Sequence, residues 1–315
     1  MSCFASFETQ FLVSLFNGLA IGAIYALIAL GLSMVYGILN LINFAHGEVF
    51  MVGSFAALGV INALGVSAEQ GGLVIASAVL LACVAAVAAS GVAAMLLEIV
   101  AYRPLRRSGA PRHASMISGM GASICLQELF GLLFGRGNIP FPDIFPVMTL
   151  FRIGSARVTN RMVLIFTAMI GMVIILDWFV MRTRLGRGMR ALAQEPQAAS
   201  LMGVNISAVV LVTFLVGGLC AGLGGFLYGL YFSKTSYILG FLPGLKGLTA
   251  SVVGGVGNLP GAVLGGLLLG LMENFGAICL PSQLKDVIGF VALLLVLVFR
   301  PKGILGERLS LRRSS

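Results

Sequence analysis

His46 and Glu48 stand two residues apart in a chain with only 2 histidines and 11 acidic residues. They close a polar interruption, Asn40-Leu-Ile-Asn43-Phe-Ala-His46-Gly-Glu48, between two apolar runs. Ionisable groups in such a setting are costly and usually face a cavity or a paired partner. A zinc-protease site needs a second histidine at helical spacing, which this string lacks. A nucleophile–base pair fares no better, because the other histidine, His113, lies in a basic stretch. Two readings stay open. Asn43 or His46 ends one segment while Glu48 favours the N-terminus of the next, or Asn43, His46 and Glu48 line a pathway or its gate.

Other chemistry-bearing residues are sparse. Glu128 lies well inside the apolar run Ala114–Phe134, facing either a partner in the bundle or the outer interface. Asp177, five residues before Arg182, reaches headgroups at the end of its run. The five cysteines, Cys3, Cys83, Cys125, Cys220 and Cys279, are odd in number and lack metal-ligand spacing. They suggest neither a disulfide framework nor a metal site and read as small apolar residues. No G-x-x-x-x-G-K-[ST] phosphate loop, G-x-S-x-G or H-E-x-x-H string occurs. The chain is therefore expected to be no enzyme and to hold no cofactor; any ATP that drives it must be bound by partner subunits.

The elements that position these residues are set by composition. Hydrophobic residues make up 59% of the 315, charged residues 10%, and mean hydropathy is +1.05. Soluble domains carry about 25% charged residues, so lipid is the solvent for most of this surface. The length holds about eight spans of about 20 residues. The expected fold is an all-α polytopic bundle forming one transmembrane domain over residues 1–315, with broken or re-entrant segments. Apolar runs predict spans at Phe11–Tyr36, Val49–Leu64, Leu73–Leu97, Ala114–Phe134, Met162–Met181 and Ile206–Phe232. The first run is too long for the core of a cleavable signal peptide, and no Lys or Arg precedes it.

The formal charge is +9. Most Lys and Arg residues cluster between apolar runs, at Arg103–Arg112, Arg182–Arg190 and Arg300–Arg313. That distribution sets membrane orientation and argues against nucleic-acid binding. The three stretches are expected in the cytoplasm, together with the C-terminus. Parity then requires two membrane segments within residues 245–275, divided at the Gly/Pro break, and puts the N-terminus outside. Val287–Phe299 is a short last span. Residues 135–160 form a Pro- and Arg-bearing outer loop.

Two further strings could carry function. In Thr183–Asn205, Glu195-Pro196 opens a short helix and Gly203 closes it, proline fitting the first helical position and glycine the position past the end. Ala198, Ala199, Leu201 and Met202 give it a small apolar face, suited either to a groove on another protein or to lipid headgroups. The break Gly254-Gly255-Val-Gly257-Asn258-Leu-Pro260-Gly261 is either a gate or a site of close helix packing. It follows no strand pattern, so it is no dinucleotide loop.

Together these strings resemble the branched-chain amino-acid ABC transporter permease family, in its shorter LivH-type form. The resemblance is carried by GLAIGAIYALIALGLSMVYGILNLINFAHGEVFMVGS at 18–54, YRPLR at 102–106 and TRLGRGMRALAQEPQAASLMGVN at 183–205. It continues in GLKGLTASVVGGVGNLPGAVLGGLLLGLMEN at 244–274 and FRPKGILG at 299–306. It implies a type II ABC importer-like fold in the bacterial inner membrane. It implies as partners a second related permease, two cytoplasmic ABC ATPase subunits and a periplasmic amino-acid-binding protein. It also implies that Arg187, Arg190, Glu195, Pro196, Ala199 and Gly203 belong to an element coupled to an ATPase. The substrates implied are leucine, isoleucine and valine, with urea or short amides as the alternative. A secondary transporter needing no ATPase is a further class, but Glu48, Glu128 and Asp177 are few charges for ion coupling.

Overall fold

Long uncharged runs rich in Leu, Ala, Val and Gly bond their own backbones wherever water is absent, and helices follow. The computed structural model describes residues 3–66, 70–279, 281, 284–300 and 303–306. Its central helix is α1 (Cys3–Leu39), buried without interruption from Gly22 to Val35. Around it stand α2 (His46–Leu64), α3 (Gly72–Leu97), α5 (Arg112–Phe134), α6 (Asn160–Arg182), α9 (Ile206–Phe232), α10 (Phe241–Gly254), α11 (Leu259–Cys279) and α12 (Lys285–Phe299). A π-helical turn, Glu98–Tyr102, carries α3 into α4 (Arg103–Arg107). Two short helices, α7 (Arg184–Gln194) and α8 (Pro196–Leu201), lie between α6 and α9.

Among the described residues, seven helices are long and apolar enough to cross a membrane. The 14 residues of α10 and 15 of α12 are shorter. At 1.5 Å per residue they rise only about 21–23 Å, against a hydrocarbon core of about 30 Å. The break at 254–261 does divide two helices, α10 and α11, of which only α11 is long enough to cross.

Small residues set the packing, because in lipid close backbone approach replaces the hydrophobic drive between helices. The tightest seam joins α1 to α11. A Cβ on Gly270 would stand 2.4 Å from the Gly22 Cα, and one on Gly266 would stand 2.5 Å from the Ala26 Cα. A second seam joins α9 to α2 and α3, where a Cβ on Gly225 would stand 2.0 Å from the Phe50 carbonyl oxygen.

The bundle has two distinct ends. At one, β1 (Asn138–Pro140) pairs antiparallel with β4 (Lys234–Ser236), and β2 (Thr149–Ile153) with β3 (Ala156–Thr159). These ribbons were not legible in the loop at 135–160. Arg161, in the first turn of α6, is buried beneath them and donates to the carbonyls of Phe145 (2.7 Å) and Leu230 (2.8 Å), while pairing with Asp143. The other end gathers the basic stretches of α4, α6 and α7. There the bent segment 303–306 lies against the end of α10, with Ile304 N–H bonded to Val253 O and Leu305 N–H to Gly254 O, each 2.9 Å. Of the third basic stretch, Lys302, Arg308, Arg312 and Arg313 lie outside the described residues.

Candidate translocation site at the junction of α2 and α10

The polar interruption between α1 and α2 folds back into the bundle. After Leu39 the chain turns at Asn40 (φ 50°) and re-enters, so that α2 starts deep inside. Glu48 lies beside Ser123, halfway along the 23 residues of α5, which places it near the middle of the membrane. The start of α10 meets it there. A Cβ on Gly47 would stand 2.2 Å from the Gly240 carbonyl oxygen and 3.0 Å from the Gly244 Cα, so only glycine lets the two N-termini approach this closely.

Irregular backbone at this depth needs internal partners. Asn43 supplies them: its Oδ1 accepts from Ala45 N–H at 3.1 Å, and its carbonyl accepts from His46 N–H at 3.2 Å. Tyr102, on the π-helical turn, donates its hydroxyl to the same Oδ1 at 2.9 Å. Asn43 thus braces the turn before α2, whose N-cap position is Ala45. His46 packs its ring over Gly31 of α1, where a Cβ would stand 2.6 Å from Nε2. Ser123 donates to Glu48 Oε1 at 3.3 Å.

A cavity of about 280 Å³ opens at this junction, with Asn43, His46, Glu48, Ser123 and Gln127 as its polar wall. Leu32, Ile42, Phe44, Ile124, Leu245 and Leu248 supply apolar lining. Met120, Ile124 and Phe241 stand exposed at its mouth between α5 and α10. Three buried polar atoms on its lining residues have no hydrogen-bond partner: Asn43 Nδ2, His46 Nε2 and Glu48 Oε2.

The glycine-rich break does not join this cavity. Gly254 packs against α11, where a Cβ would stand 1.9 Å from the Gly261 carbonyl oxygen. Gly255 (φ 112°) and Gly257 (φ 86°) turn the chain. Asn258 caps α11 by accepting from Gly261 N–H at 3.0 Å, and its Nδ2 donates to Leu305 O at 2.8 Å. Pro260 is exposed. These residues form the α10–α11 turn at the basic end.

The segment 183–205 forms a separate site at that same end. Thr183 Oγ1 caps α7 by accepting from Gly186 N–H at 3.0 Å. Arg190 binds back to the carbonyl of Val180 on α6, whereas Arg187 and Glu195 are exposed. Pro196 starts α8, and Gly203 (φ 81°) ends it. Ala199 is buried and anchors the helix, while Leu201 and Met202 are 88% and 85% exposed. The small apolar face expected of this helix is therefore split, with Ala199 turned inward and the two larger residues outward.

Three charged groupings escaped sequence reasoning. Lys246 Nζ lies 3.0 Å from Glu273 Oε2 and 2.7 Å from Asp286 Oδ1, and donates to the Tyr25 hydroxyl at 3.1 Å, tying α10 to α1, α11 and α12. A lone lysine in an apolar run was the readable signal. Glu98, fully buried on the π-helical turn, receives Arg103 at 2.8 Å and Arg106 at 2.7 Å. Buried Arg161 is the third. Of the acids singled out from sequence, Glu128 pairs with Arg136 at 2.5 Å towards the ribbon end, and Asp177 is exposed. Among the described residues, no three His, Cys, Asp or Glu residues come together as a metal site.

Comparison with known proteins agrees with this architecture. The family described as "Branched-chain amino acid transport system / permease component" matches residues 14–297. The high-affinity branched-chain amino acid transport system permease protein LivH of Escherichia coli (strain K12) is 38% identical over 300 residues, covering 94% of this chain and 96% of that protein. BraD of Pseudomonas aeruginosa, a permease protein of the same description, is 40% identical over 301 residues, covering 95% and 96%. A probable LivH of Methanocaldococcus jannaschii is 26% identical over 294 residues. No solved structure matches the chain. With its long apolar helices and a match running nearly end to end, the chain belongs to the family of branched-chain amino acid transport permeases.

Proposed function

We propose that the chain carries leucine, isoleucine and valine inward across the bacterial inner membrane as one of two related permeases. The partners in this reading are two cytoplasmic ATPase subunits that bind ATP and a periplasmic binding protein that delivers substrate. Relatives named for branched-chain amino acid transport, matched over nearly their whole length, support the substrate class. The concentration of arginines at one end supports a cytoplasmic position for α4, α7, α8 and the C-terminus.

The observation that carries the reading is the apolar cavity at mid-depth, whose wall holds unpartnered polar atoms. In such a bundle, broken helices that start at the midplane mark the pathway. Its mouth between α5 and α10 faces outward from this chain, where a second permease would complete the path. At the cytoplasmic end, exposed Leu201 and Met202 give α8 an apolar tip, suited to a groove on an ATPase subunit. ATP-driven closure of the ATPases would then bias the permeases between outward- and inward-open states.

Filling the cavity tests the path. Ile124→Trp or Leu248→Trp is expected to lower uptake of radiolabelled leucine at least tenfold, with membrane insertion and partner binding retained. Undiminished uptake in both variants would remove the cavity from the path. Mild detergent extraction, followed by identification of co-purifying subunits, tests the partner set.

A further inference from the structure

We propose that the cavity at the α2–α10 junction is a binding site for a zwitterionic α-amino acid with an aliphatic side chain. In this site Glu48 receives the ammonium group and the Asn43 amide the carboxylate. The proposal rests on the reading that this cavity lies on the path, and adds to it a means of recognition.

Three buried polar atoms on the lining residues lack a partner; His46 Nε2 packs against Gly31 of α1, which leaves Glu48 Oε2 as acceptor and Asn43 Nδ2 as amide donor, both on residues at least 97% buried. Each is fixed by its other half. Glu48 Oε1 accepts from Ser123, and Asn43 Oδ1 is taken by Ala45 N–H and the Tyr102 hydroxyl. Buried polar atoms are nearly always paired, and a costly exception on a cavity wall fits a ligand that supplies the missing halves. An acceptor and a donor on one wall match an ammonium and a carboxylate on one carbon.

Charge supports the same assignment. The N-termini of α2 and α10 converge here, so two positive dipole ends favour an anionic group. The carboxylate of Glu48 offsets the cation that accompanies it. A zwitterion is neutral overall, and its two ends are met separately. Beyond the polar wall, Leu32, Ile42, Leu245 and Leu248 give the lining an apolar part that suits a branched aliphatic side chain. Urea or a short amide could use the polar atoms but would leave this apolar surface empty, and the volume of about 280 Å³ admits one small solute at a time.

Protection of a cavity cysteine tests the proposal. Met120→Cys is placed in the full chain with the exposed Cys125 changed to Ser, and membranes of the producing cells are treated with N-ethylmaleimide. Modification of residue 120 is read by peptide mass spectrometry. L-Leucine at millimolar concentration is expected to slow modification at least fivefold. 4-Methylpentanoate, which lacks the ammonium, and 3-methylbutylamine, which lacks the carboxylate, are expected to give less than twofold. Glu48→Gln should abolish protection by leucine, and Glu48→Asp should restore part of it, both with an unchanged rate in the absence of leucine. Equal protection by leucine and 4-methylpentanoate, or full protection in Glu48→Gln, would overturn the role of Glu48. Protection by urea or acetamide but not leucine would overturn the ligand class. If leucine fails to protect while the tryptophan variants still block uptake, the path stands and the recognition site falls. If residue 120 is not modified at all and the tryptophan variants transport normally, both fall.

Discussion

The side chain of Asn43 is divided between two duties. Its oxygen holds the start of α2 and its nitrogen faces the cavity. One carboxamide thus both braces the turn into α2 and belongs to a residue that lines the cavity. The Tyr102 hydroxyl fixes that division. Tyr102→Phe is expected to cost about 1 kcal/mol, the usual net value of one hydrogen bond, and to impair leucine uptake more than its loss of thermal stability would suggest. Glu98→Gln should be more damaging, because two arginines lose their shared anion. The expected destabilisation is about 3 kcal/mol, seen as a lowered unfolding midpoint in detergent; an unchanged midpoint would show that water already screens the pair. Asn43, His46 and Glu48 were legible because polar residues in an apolar run are conspicuous. Tyr102, Ser123 and Gln127 were not, since each sits in a run with nothing to mark it until the fold brings it to α2.

At the scale of the element, α10 links the two sites. Its first turn lines the cavity, Lys246 ties its middle to Glu273 and Asp286, and its last carbonyls receive the backbone of 303–306. On the proposed reading, a helix so held would carry a displacement at the basic end to the cavity. Lys246→Met should therefore lower transport while the chain still inserts, read as uptake per inserted protein. The short α8 was readable because proline and glycine punctuate it, and the structure ends it at Gly203 in the left-handed region. Gly203→Val places a β-branched residue there at a cost of about 1–3 kcal/mol. That strain is local, so insertion should persist while stimulation of ATPase activity by the binding protein is lost. Leu201→Asp is expected to do the same without backbone strain, and normal stimulation in both variants would remove α8 from the contact with the ATPases. The start of α10 was harder to read. A charge usually ends a span, whereas Lys246 sits inside α10 because its partners lie on α1, α11 and α12.

For the whole molecule, hydropathy was enough to give the helical bundle and the division at 254–261. Which helix sits in the centre was not given, because α1 and α3 are similarly apolar although α1 is buried and α3 largely faces outward. The difference lies in contacts far apart in sequence, above all between α1 and α11. If partner subunits supply the ATP, as proposed above, the chain reconstituted alone in liposomes should fail to concentrate leucine; accumulation without partners would point to a secondary transporter. The backbone contact between Gly22 and Gly270 has a consequence for the cell as well. Where main chains touch, no thread of water can form, so this seam stays tight to protons while solutes pass elsewhere. Prying it open with a valine at position 270 should first show itself as a drain on the membrane potential.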